Sequence, residues 1–317
     1  KNGLKPIKAH SGANHMIPIL DSHHHIWRHA DLPWLNGPEV TRVFGPYEGL
    51  RRDYLMEDLM ADMAGSGIVG SVYLQVNWAP EQAVDEAAWV QSVSDRLGWP
   101  HGIVAYTNFF DDDSPETLKK LSAFPKMRGI RHQLHWHEND LYRIQPRPDV
   151  MNDTTWRKNF ARLQDYGWSF DLQVFASQMK DAAKLAADYP GIPQILQHAG
   201  MAEDRSPEGL ALWRDGMKAL ADQPNVFCKL SAFGTFIHEN SEDHIAELIG
   251  QTLEIFPPER CLFGSNYPIE MLWTPYAPIV TAHRKAIAHL PEADQRAILH
   301  DTAVGVYKLE GMAAEPL

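Results

Sequence analysis

The feature that most constrains the fold of this chain is an eightfold alternation of short β-rich runs with amphipathic helical stretches. Most of the runs are continuously apolar and end in polar residues, as is typical of parallel strands buried on both faces. Eight β/α repeats in 317 residues predict the α/β class and a single (β/α)8 TIM-type barrel. The runs cover residues 17–25, 70–77, 102–109, 127–135, 168–175, 193–199, 225–232 and 261–267.

Several of the helical patterns between these runs follow capping residues and end at Gly or Pro, which are ordinary helix boundaries. A doubly wound open sheet is the alternative fold, but no GxGxxG sequence follows the first run. No linker divides the chain, so we expect one barrel domain over residues 17–310, with tails over 1–16 and 311–317. The helical patterns cover residues 54–65, 81–97, 156–166, 177–188, 207–221 and 241–255.

The charge balance narrows the class of partner. The 41 acidic side chains outnumber the 29 basic ones, and the net charge of −12 disfavours nucleic acid and anionic membranes. A small molecule is the expected partner, and it can still be anionic because a local arginine cluster can oppose the overall field. A homodimer is compatible with this composition, although no interface pattern stands out.

Cysteine usage and the absence of apolar segments indicate the compartment. Cys228 and Cys261 lie in apolar runs and are expected to be buried free thiols. The first sixteen residues have no apolar core of a secretory signal, and no apolar stretch is long enough to span a membrane. The cytoplasm is therefore the expected location.

Alternating histidines end the first predicted strand, in the sequence Asp21-Ser22-His23-His24-His25. Side chains at i and i+2 of a strand share a face, so Asp21, His23 and His25 are expected together. His24 should face the surrounding helices instead. Two imidazoles at a strand end can hold a divalent metal or polarise a carbonyl oxygen. A solvated polar strand end is the alternative.

A third histidine, His198, ends the sixth predicted strand just before Gly200. The carboxyl ends of barrel strands meet at one face, which would bring His198 to His23 and His25. Three imidazoles match an open zinc site that leaves one position for water. One divalent metal, with zinc favoured, is therefore the candidate cofactor.

Polar side chains also occur at strand positions that an ordinary buried strand fills with aliphatic residues. Gln75 and Asn77 end the second run, and Lys229 and Ser231 share a face of the seventh. Burying such groups without partners is costly, so a polar site explains them better than chance does.

Two arginines and a histidine lie together in the fourth run. An arginine on a central strand must be paired, and a substrate carboxylate is a good partner for Arg128 or Arg131, with His132 beside them. An ion pair with Asp171 or Glu138 is the alternative.

Three long connections follow predicted strands, over residues 27–52, 136–152 and 268–278. In a barrel, the segments after the strands build the catalytic face. These connections are rich in aromatic residues, Trp27 and Tyr47 among them, which indicates a pocket for a small organic ring. The alternative is that the aromatic side chains only roof the barrel mouth.

Taken in order, these motifs resemble the amidohydrolase-related family of TIM-barrel hydrolases. The resemblance is to the branch that contains sugar lactonases and the 2-pyrone-4,6-dicarboxylate and muconolactone-type lactonases, and it covers about residues 19–307. It implies hydrolysis of a lactone, with His23, His25 and His198 binding a metal or the substrate carbonyl. The motifs are Asp21-Ser22-His23-His24-His25-Ile26-Trp27, Gly129-Ile130-Arg131-His132, Gln197-His198-Ala199-Gly200, Lys229-Leu230-Ser231 and Phe263-Gly264-Ser265-Asn266-Tyr267-Pro268.

The resemblance also implies an aspartate that activates water at the end of the eighth strand, and here that position is Asn266. An amide is no general base near neutral pH and is a poor metal ligand, so zinc should bind less tightly than is usual in the family. Glu270, four residues on, or one of the histidines is the candidate for taking the proton. Tyr267, next to Asn266, is a candidate substrate contact.

The leading hypothesis is a hydrolase that opens a small carboxylated lactone. Water would attack a carbonyl polarised by the histidine trio, with or without one divalent metal. Arg128 or Arg131 would hold the carboxylate, and Lys229 would stabilise the developing oxyanion. One alternative is a metal-dependent decarboxylase of a cyclic or aromatic acid. The other is a non-catalytic small-molecule-binding barrel in which Asn266 marks a lost base.

Overall fold

The computed structural model describes residues 16–309, and it confirms the single (β/α)8 barrel. Eight strands form one sheet in sequence order, and each strand pairs in parallel with the next. The barrel closes where the His25 N–H donates to the Tyr267 carbonyl at 2.8 Å. The strands are β1 (Ile19–His24), β2 (Ile68–Leu74), β3 (Gly102–Ala105), β4 (Met127–Ile130), β5 (Ser169–Leu172), β6 (Gln194–Leu196), β7 (Val226–Leu230) and β8 (Cys261–Phe263).

Helices lie between the strands, and each of the six predicted helical stretches contains at least one. None of the helices within residues 16–309 is long and apolar enough to cross a membrane. The predicted tails lie outside the described residues, apart from Met16. The helices are α1 (Pro33–Asn36), α2 (Met56–Met63), α3 (Ala83–Leu97), α4 (Ser114–Leu121), α5 (Thr154–Phe160), α6 (Leu163–Tyr166), α7 (Met179–Asp188), α8 (Pro207–Ala221), α9 (Glu242–Leu253), α10 (Tyr276–Ile287), α11 (Glu292–Arg296) and α12 (Thr302–Val306).

The chain after β8 closes one end of the barrel. Tyr307 and Leu309, which follow α12, are buried against strand residues such as Leu20 and Val104. A Cβ added to Gly102, the first residue of β3, would lie 3.2 Å from the Leu309 side chain. This apolar plug therefore fills the amino-terminal end of the strands, and the opposite end is left for a site.

The strands end earlier than the sequence predicts. The fourth run is predicted to residue 135, for example, but β4 ends at Ile130. Several residues that follow strands have positive φ, among them Asn77 (60°), His198 (57°), Ala232 (56°) and Asn266 (56°). A left-handed residue breaks the strand ladder and redirects the side chains around it. His198 and Asn266 therefore lie on turns after their strands.

Strand β1 departs from strict alternation. Its pairing with β2 shifts register between Asp21 and His24. The Asp21 carboxylate accepts hydrogen bonds from Ser265 Oγ at 2.6 Å and from the Tyr276 hydroxyl of α10 at 2.8 Å, on the helix side of the sheet. The expectation that Asp21 shares a face with His23 is corrected, because the register irregularity resets the alternation between them.

Candidate active site

Three histidines meet at the carboxyl ends of β1 and β6. The ring of His23 lies 5.1 Å from that of His25 and 4.8 Å from that of His198, measured between centroids. His25 Nδ1 bonds the Leu74 carbonyl at 2.8 Å, and His198 Nδ1 bonds Ser231 Oγ at 2.8 Å. His23 is fully buried, and neither of its ring nitrogens has a hydrogen-bond partner within residues 16–309.

The hydrogen bonds and burial of these rings define what they can do. A carbonyl only accepts, so His25 Nδ1 carries a proton and His25 Nε2 presents a lone pair. Burial lowers the pKa of His23, His25 and His198 well below the ordinary value, and the positive charge of Arg131 lowers the pKa of His25 and His198 further. All three imidazoles are therefore neutral near pH 7.

A cavity of about 670 Å³ opens beside the trio at the carboxyl end of the barrel. Long loops after the strands supply aromatic walls, including Trp34, Phe44, Trp78, Tyr142 and Phe236. His23 lies behind the cavity wall rather than on it. Seven of the predicted site residues line the cavity: His25, Gln75, Asn77, Arg131, His132, His198 and Asn266.

Arg131 is the buried arginine of this cavity, which the half-buried Arg42 and Arg143 also line. Its side chain is buried, and its Nη2 donates to the Gln75 carbonyl, while its Nε has no hydrogen-bond partner in the described part of the chain. Neither of the acids considered from the sequence pairs with it, because Asp171 bonds Lys229 instead, and no salt bridge to Arg131 occurs among residues 16–309. Burial lowers the pKa of Arg131 to about 10, so the guanidinium remains charged at neutral pH.

The neighbouring polar residues are held by hydrogen bonds. His132 Nδ1 accepts from the Trp156 indole at 3.3 Å, and burial lowers the pKa of His132 to about 4. Gln75 Oε1 accepts from the Asn77 N–H at 2.8 Å, while no acceptor among the residues that the structure describes bonds Gln75 Nε2. The cavity thus offers a neutral imidazole and a free amide donor beside the cationic arginine.

Asn266 lines the cavity, and Glu270 lies behind it. Asn266 Nδ2 donates to Glu270 Oε1 at 3.2 Å, and Asn240 and Thr235 donate to the same carboxyl group. Burial raises the pKa of Glu270 to about 7. The expectation that Glu270 reaches back to take a proton is corrected, because its oxygens are occupied by these donors and it is not on the cavity wall.

Lys229 also lies outside the cavity. Its Nζ donates to Asp171 Oδ1 at 2.8 Å and to the Tyr307 hydroxyl at 2.9 Å, and all three side chains are fully buried. The expectation that Lys229 stabilises an oxyanion is corrected, since its ammonium group is committed to a buried ion pair beneath the site.

Four further predicted contacts are placed elsewhere. Arg128 lies at the start of β4, where its Nη1 donates to the Pro125 and Met127 carbonyls. Trp27, Tyr47 and Tyr267 are buried in the aromatic core under the loops, where each packs against other rings. These three aromatic residues do not line the cavity. They support the loops, in line with the alternative that aromatic side chains only cover the barrel mouth.

The sequence reasoning missed one buried acid of the cavity wall, Glu86 on α3. A signal for it exists, because the helical period places Glu86 on the same face as Ala83 and Val90, which are both buried. An acid on the apolar face of a helix marks a polar contact with the barrel.

The histidine trio has the donor chemistry of a zinc site, although no group of three His, Cys, Asp or Glu side chains in residues 16–309 is arranged to hold a metal as it stands. The fit lies in the donor set. All three imidazoles are neutral, and both nitrogens of His23 lack hydrogen-bond partners among the described residues. The Leu74 carbonyl orients His25 as an outer partner does in metal sites. Asn266 supplies no carboxylate to this set.

Comparisons with known proteins agree with this architecture. The family model described as Amidohydrolase matches residues 20–309. The uncharacterized protein y4mH of Sinorhizobium fredii is 33% identical over 298 residues, which cover 92% of this chain and 99% of that protein. An L-fucono-1,5-lactonase of Burkholderia multivorans is 29% identical over 315 residues, with 92% and 96% covered.

A solved structure extends the likeness to three dimensions. An amidohydrolase from Burkholderia multivorans with bound zinc superposes with a TM-score of 0.76 at 27% identity, covering 92% of this chain and 99% of that one. The family model, the relatives and the barrel agree, and the chain belongs to the amidohydrolase family.

Proposed function

We propose that this protein is a hydrolase that opens a small carboxylated lactone with water. The observation that carries the proposal is the unpaired guanidinium of Arg131, which faces the same cavity as His25 and His198. Glu86 and Asp171 lie near this guanidinium but form no salt bridge with it, so a ligand carboxylate would be its direct ionic partner. An L-fucono-1,5-lactonase among the relatives supports the reaction class.

In this proposal, Arg131 binds and orients the substrate. Its free N–H groups take the carboxylate, while the bond from Nη2 to the Gln75 carbonyl fixes the plane of the guanidinium. The unpartnered Gln75 amide donates to a second substrate oxygen. The aromatic loop walls hold the lactone ring and keep bulk water out.

The histidines act on the lactone carbonyl and on water. When the Ser231 hydroxyl donates to His198 Nδ1, His198 Nε2 carries a proton and donates to the carbonyl oxygen. The lone pair on His25 Nε2 accepts a hydrogen bond from the attacking water. As water adds to the carbonyl carbon, His25 Nε2 takes a proton from it. The ring C–O bond then breaks and the ring oxygen takes up that proton, which gives a hydroxy acid.

A divalent metal would be held by His23, His25 and His198, and when bound it would polarise the carbonyl and lower the pKa of water. Asn266 stands where the resemblance implies a carboxylate. The site therefore has one negative charge fewer to stabilise a bound cation.

The reaction class is tested with a panel of lactones under a pH-stat, with CO2 measured in parallel. The panel contains 2-pyrone-4,6-dicarboxylate, muconolactone and the neutral L-fucono-1,5-lactone. We expect acid release without CO2, faster for a carboxylated lactone. CO2 release from cyclic or aromatic acids would establish a decarboxylase instead. Binding of a lactone without turnover of any of them would establish a non-catalytic barrel.

Replacing Arg131 with methionine should weaken binding of carboxylated lactones. A hydrogen bond to a charged group contributes roughly 1.5–3 kcal/mol, so we expect KM for the preferred carboxylated lactone to rise about tenfold to a hundredfold. The KM for L-fucono-1,5-lactone should change much less. Arg128→Met is the matched control, since Arg128 lies at the other end of β4, and it should leave both constants unchanged. Equal effects of R131M on charged and neutral lactones would contradict the assignment.

Metal content separates the two ways in which the trio can act. Protein purified without chelators should contain about one equivalent of zinc, and His23→Ala should remove it. Zinc should bind more tightly to Asn266→Asp, which restores a carboxylate beside the trio. Elemental analysis and competition with a chromogenic chelator measure both quantities. Wild-type protein that hydrolyses lactones without any metal would show that the imidazoles bind the carbonyl directly.

A further inference from the structure

Glu86 is a buried acid beside the cavity that the proposed reaction does not use. It lies on α3, where only 3% of its surface is exposed. Its Oε1 accepts hydrogen bonds from the Tyr73 hydroxyl and from the Val76 N–H, each at 2.7 Å. The flanking residues on this face, Ala83 and Val90, are apolar, so packing of α3 on the barrel does not require a carboxylate here. Burial raises the pKa of Glu86 to about 7, so the carboxylate form predominates only above neutral pH. A buried acid in such a place, held by two donors, indicates a specific task.

The peptide group between Gln75 and Val76 joins Glu86 to Arg131. Its N–H donates to Glu86 Oε1, and its carbonyl accepts from Arg131 Nη2. Strand β2 has already ended at Leu74, so side chains hold both ends of this peptide. Bonds in such a chain polarise one another, and a charged acceptor at one end strengthens the bond at the other.

We propose that Glu86 is a positioning residue for Arg131. Through the peptide between Gln75 and Val76, its carboxylate fixes the orientation of the guanidinium and provides a nearby counter-charge. It thereby sets the affinity of the cavity for carboxylated substrates. This inference rests on the proposed function, in which Arg131 binds the substrate carboxylate. The same peptide would turn more freely without Glu86, and the guanidinium would lose its fixed plane.

The test compares dissociation constants and kinetics of Glu86→Gln with those of wild-type protein. The comparison is made at pH 8, above the Glu86 pKa of about 7, where the glutamine keeps an oxygen for the Val76 N–H but removes the charge. We expect Kd and KM for 2-pyrone-4,6-dicarboxylate to rise about fivefold to tenfold, as when a charge-assisted bond becomes neutral, with kcat nearly unchanged. Constants for L-fucono-1,5-lactone should not move. Asp85→Asn, the exposed neighbour on α3, is the matched control.

A double variant shows whether Glu86 acts through Arg131. If it does, Glu86→Gln combined with Arg131→Met should bind the dicarboxylate no more weakly than Arg131→Met alone. Additive losses, or equal losses for the charged and the neutral lactone, would overturn the inference and leave a structural role. If R131M weakens dicarboxylate binding but E86Q does not, only this inference fails. If neither does, the proposed role of Arg131 fails too.

Glu86→Asp keeps the measurement informative if the glutamine variant folds poorly. The shorter side chain retains the charge, so it should recover more of the dicarboxylate affinity than E86Q while leaving the neutral lactone unaffected. A thermal unfolding midpoint for each variant identifies any general loss of stability. If affinity for the dicarboxylate correlates across the variants with the unfolding midpoint, and not with the charge at residue 86, the inference would also be overturned.

Discussion

Replacing His198 with alanine should lower kcat/KM for the preferred lactone about 10²-fold to 10³-fold, the usual effect of removing a group that stabilises the developing oxyanion. His198 lines the cavity, and its ring lies 4.8 Å from that of His23. The loss should appear mainly in kcat, because a bond that strengthens in the transition state is removed. Steady-state kinetics on the lactone panel measure it.

Two further variants accompany His198→Ala, one that removes its hydrogen-bond partner and one that serves as a control. Ser231→Ala removes the partner of His198 Nδ1 at 2.8 Å, and the loss of such an orienting group should cost about tenfold to a hundredfold. His283→Ala removes another buried imidazole, one that bonds the Ile279 carbonyl within α10 and does not line the cavity. It should lower stability and leave kcat close to that of wild-type protein. Full lactonase activity in His198→Ala would contradict the assignment of the histidine trio as the active site.

The fold was predictable because the barrel is built from local repeats. Each β/α unit carries its own apolar run and its own amphipathic helix, and parallel strands with helical crossovers leave few arrangements. Pairings between distant residues, such as His25 with Tyr267, follow from closure of the sheet.

Where the side chains point was harder to predict, because the strands end on residues of positive φ. Alternation places Asp21 with His23 and extends β2 to Asn77, but the β1 register shift and the left-handed Asn77 break both patterns. Side-chain direction beyond a strand end depends on such turns, for which a single sequence gives only weak signals.

The two arginines of β4 show what topology adds to sequence. Both are basic residues on one short strand, yet Arg131 follows its carboxyl end and Arg128 lies near its start. Catalytic groups of barrels lie at the carboxyl ends, so position along the strand distinguishes them once the strand is bounded. The partners of Lys229 could not be predicted, because Tyr307 reaches it from the far end of the chain.

Replacing Lys229 with methionine should reduce the free energy of unfolding by about 3–5 kcal/mol, as is found when one partner of a buried ion pair is removed. Asp171 Oδ1 accepts from Lys229 at 2.8 Å, from Tyr307 at 2.8 Å and from Gln197 at 2.7 Å. Its Oδ2 has no donor between residues 16 and 309. Without the ammonium group, a fully buried carboxylate would keep only neutral donors. Urea denaturation followed by tryptophan fluorescence measures the loss.

The surface pair of Lys285 and Glu242 is the matched control. These side chains are 60% and 55% exposed and lie 2.6 Å apart, so Lys285→Met should change stability by no more than about 1 kcal/mol. Adding Asp171→Asn to Lys229→Met should restore part of the loss, because the second change removes the stranded charge. A stability of Lys229→Met within about 1 kcal/mol of wild type would show that the network tolerates an unpaired acid. In that case the ion pair of Lys229 and Asp171 would not be needed to stabilise the barrel interior beneath the histidines.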